Sequence, residues 1–177
     1  NYIEIYDEDV KKIKVYVDTV KEKNKLIVIK AYDGISKLDK TWTPCKTPIT
    51  LYNFINDICM QCNISLNAFW LTNSGFYIHN IDELKGKTCR ECLSYAAELT
   101  GNYLYLNENE ALCFKWFDFT KSKEIDITRL KNYNTDYENS KVDNIYFVRG
   151  SKVYYTNEKP SGSIYLTKDN PLLKESS

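Results

Sequence analysis

The chain has 177 residues, 43% of them apolar and 27% charged, enough for one good core or two small subdomains without help from metal or disulfides. Lysine plus arginine (24) balance aspartate plus glutamate (24), so no long-range field draws in a nucleic acid backbone or an anionic membrane, and specific binding of either is not expected. No apolar run approaches the roughly 18 to 20 residues of a membrane span, and no basic start followed by an apolar stretch marks a signal peptide.

These features point to a soluble protein of a reducing compartment. The start at Asn1, inside sequence that already looks structured and without methionine, suggests a piece of a longer chain. Fifteen tyrosines suit strands and interfaces through their apolar body and polar tip. With abundant lysine, asparagine and isoleucine, however, they reflect an AT-rich genome better than they mark a site.

In chain order, "KIKVYVD" places Ile13, Val15 and Val17 on one face at period two. "KLIVIKAY" (25–32) is a second apolar run after the turn-like "KEKNK", and the two predict a hairpin. "DGISKLDKTWTPCKTP" carries a glycine and two prolines and is a connection, with a boundary near residue 43. Thr50 then caps a helix in which Leu51, Phe54, Ile55, Ile58, Cys59 and Cys62 share one face. "AFWLTNSGFYIHN" (68–80) suggests two short strands about an Asn-Ser-Gly turn. "TCRE" is a capping box, Thr88 with Glu91, opening a second helix whose Cys89, Cys92, Leu93, Ala96 and Ala97 line one face until Gly101 ends it.

"YLYLNENEALCFKWF" predicts a hairpin with Leu112, Phe114 and Trp116 alternating. In the last third, "IDITRL" can hold one helical turn, "VDNIYFVRGSKVYYT" two strands joined at Gly150-Ser151, and "SGSIYLT" one more strand before "NPLL". There is no internal repeat, low-complexity tract or glycine-rich phosphate loop. Strands, then a mixed middle with two helices, then strands again give an α+β class.

Two Cys-x-x-Cys pairs, Cys59/Cys62 and Cys89/Cys92, raise the question of zinc; Cys45, Cys113 and a single histidine, His79, complete the ligand inventory. Zinc knuckles need tight turns on which sulfurs and amides converge, whereas each pair here lies on the apolar face of an amphipathic helix. The cysteines are therefore expected to be core thiols, with a shared metal or a disulfide as the lesser readings. Cys89 at a helix N-terminus has the placement of a thioredoxin thiol, but the apolar strand that should precede it is replaced by "DELKGK". His79 has no serine motif or second histidine beside it. The acidic neighbours Asp82/Glu83 and Asp7, Glu8 and Asp9 suit solvated turns better than a glycosidase pair. Trp70 and Trp116 could stack on sugars, but their apolar alternation marks them first as core candidates. No catalytic, cofactor or metal residue is assigned.

The succession "KAYDGISKLDKTW", "TPITLYNFINDICMQCNISL", "GKTCRECLSYAAELTGNYLYLNENEALCFKWF", "DITRLKNYNTDYENSKVDNIYF" and the late "NPLL" resembles the central hub proteins of contractile phage tails, with PBSX-type defective prophage and tailocin hubs the nearest likeness. The resemblance covers nearly the whole chain, as order and texture rather than as invariant chemical residues. It implies tail-tube-like β-barrel strands over residues 1–43 and 119–177, and an inserted small α/β domain with the two amphipathic helices over residues 44–118. It further implies a non-catalytic baseplate hub of the virion tail or tailocin particle, made in the bacterial cytoplasm without cofactors. Three copies would form a ring connecting the tail tube to the spike protein. Family members usually carry larger apolar or aromatic residues where this chain has Cys59, Cys89 and Cys92, in keeping with core positions. The alternatives are a zinc-supported or carbohydrate-binding module and, behind these, an enzyme acting on peptidoglycan.

Overall fold

The computed structural model describes residues 1–68, 70–115, 144–149, 151–155, 164–166 and 169–175. Trp116, the "IDITRL" segment and Gly150 lie outside the described residues. The class is α+β, with strands at both ends and two helices between.

The chain opens with a three-stranded antiparallel sheet in the order β1-β2-β3, made of β1 (Tyr2–Asp7), β2 (Val10–Lys23) and β3 (Leu26–Asp33). The expected β2–β3 hairpin turns at Asn24 and Lys25, both with positive φ (51° and 63°). Two left-handed residues give a two-residue turn whose twist matches the flanking strands, and asparagine tolerates that geometry well. The sequence did not announce β1, whose apolar positions, Ile3 and Ile5, are few and set among tyrosines and acids. Register irregularities between Ile5 and Tyr6 and between Val17 and Thr19 interrupt the ladders, as bulges that raise local twist do. Among the described residues this sheet stays open and does not close into a barrel.

A 3-10 helix, Gly34–Asp39, leads to Trp42 and then to β4 (Ile49–Thr50) and α1 (Leu51–Gln61). The Thr50 side chain accepts from the Asn53 amide, satisfying one of the orphan donors of the first turn. All six residues of the expected α1 stripe are buried. The second helix, α2 (Cys89–Thr100), begins with the full capping box: Thr88 Oγ1 accepts from the Glu91 amide and Glu91 Oε2 accepts from the Thr88 amide at 2.7 Å. Gly101, at φ 68°, ends it in the left-handed region that glycine enters without steric cost.

The segment between the helices departs from expectation. The turn at Asn73–Gly75 is present, but its flanking strands, β5 (Leu66–Asn67) and β6 (Tyr77–Ile78), do not pair with each other. β5 runs parallel to β8 (Leu112–Lys115), and β6 pairs antiparallel with β4. Because β5 ends at Asn67, the alternation through Trp70 belongs to no strand. Leu71 is buried, whereas Trp70, expected in the core, is 97% exposed.

The predicted hairpin after α2 forms from β7 (Tyr103–Leu106) and β8. In the last third, β9 (Asn144–Arg149) pairs antiparallel with β10 (Lys152–Tyr155) and parallel with β11 (Ile164–Leu166). One core unites these parts: Trp42, Phe54, Ile58, Leu93, Leu112, Phe147 and Leu172 belong to a single buried cluster. Phe147 stacks on Tyr154 (centroids 4.9 Å apart) and meets Phe76 edge-on, geometries that aromatic quadrupoles favour. Asn170, almost fully buried, donates to the Tyr95 carbonyl and to Glu98 and accepts from the Leu172 amide. In this way the "NPLL" turn is fixed against α2 without leaving a buried amide unpaired.

Candidate assembly surface

The first sheet has an unusual distribution of apolar side chains. Following the register through both irregularities, Ile3, Ile5, Val10, Ile13, Val15, Val17, Val20, Ala31, Ile29 and Ile27 fall on one face. Together they make an apolar surface three strands wide. In a sheet that packs on its own core such a face is buried; here Ile5, Val10, Ile13, Val20, Ile27 and Ile29 are all exposed, Ile27 by 71%. Contiguous exposed apolar surface of this kind marks an interaction site. Toward the hairpin tip the opposite face is apolar too: Leu26 and Val28 are exposed there, giving the unbroken "LIVI" of a strand covered on both sides.

The same ribbon has unpaired edges. β1 accompanies β2 only as far as Tyr16, with the Val17 amide donating to the Asn1 carbonyl. Beyond that point β2 has β3 on one side and no strand on the other among the described residues, and the outer edge of β3 is likewise without a partner strand. Open edges of this length are templates for pairing with another chain.

A polar node sets where this sheet stands relative to the helices. Glu110, in the β7–β8 turn, accepts from Lys14 Nζ at 2.9 Å, from Lys37 Nζ at 3.3 Å and from the Tyr16 hydroxyl. Lys14 and Tyr16 come from β2 and Lys37 from the 3-10 helix, so one carboxylate joins three segments. Burial works against its ionisation, but the hydrogen bonds from Tyr16, Lys14 and Lys37 outweigh that and hold its carboxyl down at about 2. Glu110 occupies the left-handed region (φ 59°). Gly34 faces it closely: a Cβ there would lie 2.9 Å from Leu106 Cδ1 and 3.0 Å from Glu110 Oε1, so glycine permits the approach.

The cysteines occupy the core. Cys59, Cys62, Cys89, Cys92 and Cys113 are buried, Cys45 is half-buried, and all six are free thiols. Burial pushes the Cys59, Cys89 and Cys92 thiols up to about 12. At Cys89 burial therefore overrides the helix N-terminus, which alone would lower the value. Among the described residues no three His, Cys, Asp or Glu side chains converge as metal ligands would.

The other candidates are scattered. His79 is exposed just after β6. Asp82 pairs with Lys85 at 2.7 Å and Glu83 with Lys174 at 3.2 Å on the surface, and Asp7 pairs with Lys12 at the β1–β2 turn. These are the solvated ion pairs expected of acidic turns.

Sequence patterning predicts the β2–β3 hairpin but not the face, because the few apolar residues of β1 do not mark it as a strand. The legible signal was the run "LIVI", too continuous for a strand with one wet side. Glu110 gave no local signal, since its partners lie far away in sequence.

No family model matches the chain, and no curated protein matches it. Its fold is similar to that of a solved structure, the tail protein from Neisseria meningitidis MC58. The two superpose with a TM-score of 0.57 at 12% sequence identity, over 97% of this chain and 60% of that one. The likeness is one of fold, and the chain spans 60% of the length of that tail protein.

Proposed function

We propose that this chain is a structural protein of a phage-type contractile tail, and within it part of the baseplate hub that connects the tail tube to the spike. It works by assembly, without catalysis. The observation that carries this reading is the apolar face and open edges of the β1–β3 sheet, on a fold similar to that of a tail protein. In the assembled hub the sheet would contribute barrel strands, its face and edges covered by neighbouring copies around a three-membered ring. The balanced charge keeps such a ring from holding DNA nonspecifically.

The experiment is immunogold electron microscopy of particles from the source bacterium, with antibody raised against this chain. Label confined to the tip of the tube, beside the spike, is the expected result; label along the tube or absent from particles would count against a hub. The exposure of Trp70 favours a second reading, a carbohydrate-binding module, because an exposed indole is a sugar-stacking platform. Glycan binding abolished by Trp70→Ala would move the assignment there.

A further inference from the structure

The two open edges of the first sheet lie level with each other on its opposite sides. β2 has 14 residues, and β1 accompanies only its first half: the ladder ends at Tyr16, followed by the hydrogen bond from the Val17 amide to the Asn1 carbonyl at 3.1 Å. On the other side β3 accompanies the second half, from Val15 to Lys23. Among the described residues, 18–23 of β2 therefore have a bare edge on the β1 side, straight across the strand from β3, and the outer edge of β3 is bare as well. Every residue from Asp18 to Lys30 is exposed, so another chain can reach both edges.

We infer that a second copy of this chain fills the gap: the outer edge of β3, over residues 26–30, pairs antiparallel with residues 19–23 of β2 in the next copy, a lap joint that makes one sheet of two. The strand directions agree, because β3 is antiparallel to β2 within a copy and a neighbour set beside it in the same orientation preserves that. Hydrogen bonding agrees too. Opposed residues of an antiparallel ladder turn their amides either toward each other or away, alternating along the strand. A pair whose amides face each other within a copy has them turned away from the seam, and the next pair does the reverse. The register of the β2–β3 hairpin, Val20 with Ile29 and Lys21 with Val28, can therefore repeat across the seam with each amide used once.

Side chains select that register. Val20 of one copy meets Ile29 of the other, so the apolar face runs on across the seam, whereas a slip of one residue would bring Lys21 and Lys23 onto it. Asp18 and Lys30, both well exposed, pair at 3.8 Å within a copy. Across the seam Lys30 stands opposite Thr19 and beside Asp18 of the neighbour, so acid and base alternate along the joined sheet. Beyond Lys30 the twist of about 20 to 25° between adjacent strands carries β3 out of the plane of the neighbour's sheet and clear of its β1. The contact is heterologous, the edge of β3 on the edge of β2, and engages one edge of each kind on every copy, as a closed ring requires.

This inference rests on the assembly from copies proposed above, though not on the hub assignment. Single variants of the full-length protein test it: Val20→Cys and Ile29→Cys on the apolar face, Lys21→Cys and Val28→Cys on the other. Adjacent pairs of a ladder alternate in spacing, and the closer, non-hydrogen-bonded pair suits a disulfide, so one of the two combinations qualifies whichever phase the seam has. Val20→Cys is co-expressed with Ile29→Cys, and Lys21→Cys with Val28→Cys; each mixture is oxidised after purification and mapped as unreduced peptides. A bond between copies from position 20 to 29, or from 21 to 28, is expected at about a quarter of the seams, since the two variants enter each ring at random. It should be absent from every variant expressed alone. A bond between two copies of one variant, which marks a two-fold contact, or no such bond in either mixture would overturn the joint. Tip labelling in the immunogold experiment without the bond keeps the hub and removes the joint; the bond without tip labelling keeps the joint and removes the hub.

Discussion

Replacing Ile13 and Ile29 together by lysine is expected to weaken association between copies of the full-length protein by at least about 100-fold, a change of about 2.7 kcal/mol, while leaving each copy folded. The two residues lie far apart on one face, Ile13 opposite Ile5 and Ile29 opposite Val20. In the isolated chain they are 38% and 46% exposed, so a lysine there keeps its charge in water and removes little packing. Once a neighbouring copy covers the face, each ammonium must be desolvated without a partner, and that cost falls on association alone. Sedimentation velocity reads the association and a thermal melt reads the fold. Undiminished association by the double variant would show that the apolar face is not the contact.

Glu110→Gln is expected to cost on the order of 2 kcal/mol at neutral pH. A carboxyl held at about 2, against 4.5 for an ordinary glutamate, corresponds to roughly 3 kcal/mol, and the residual exposure of Glu110 reduces that toward 2 through solvent screening. Glutamine keeps the shape and can accept one hydrogen bond, but it leaves the lysines at 14 and 37 facing each other across a neutral group. The pH dependence has a definite sign. The folded-state value lies below the unfolded one, so the stabilisation is fully present above about 4.5 and is lost as pH falls toward 2. Urea titrations of both proteins at pH 7 and near pH 2 should therefore show a gap that closes in acid. A gap of equal size at both pH values would mean that the carboxylate charge does not hold the sheet.

What the sequence made legible was local. Thr50 and the Thr88–Glu91 box marked their helix starts because capping is chemistry between residues three apart. The cysteines were placed in the core because both pairs fell on the apolar face of a helix. Pairing over longer distances was less visible. The turn at Asn73–Gly75 looked like the head of a hairpin, yet β5 takes its partner from β8 and β6 from β4, choices set by where α1 and α2 pack. Trp70 was misplaced for the same reason: alternation has meaning only inside a strand, and β5 ends before it. The assembly surface was legible only in part. Its β2 and β3 residues alternate plainly, whereas Ile3 and Ile5 join the face only through the β1–β2 ladder. Glu110 meets its partners only after the β7–β8 turn has folded back onto β2.

The most direct measurement is a native mass spectrum of the full-length gene product containing this chain, recorded over a range of concentrations. A trimer is expected that persists on dilution into the nanomolar range and falls to monomer in the Ile13→Lys/Ile29→Lys variant. A folded protein that stays monomeric at every concentration would contradict it, because the apolar face of the first sheet would then remain in water with nothing to cover it.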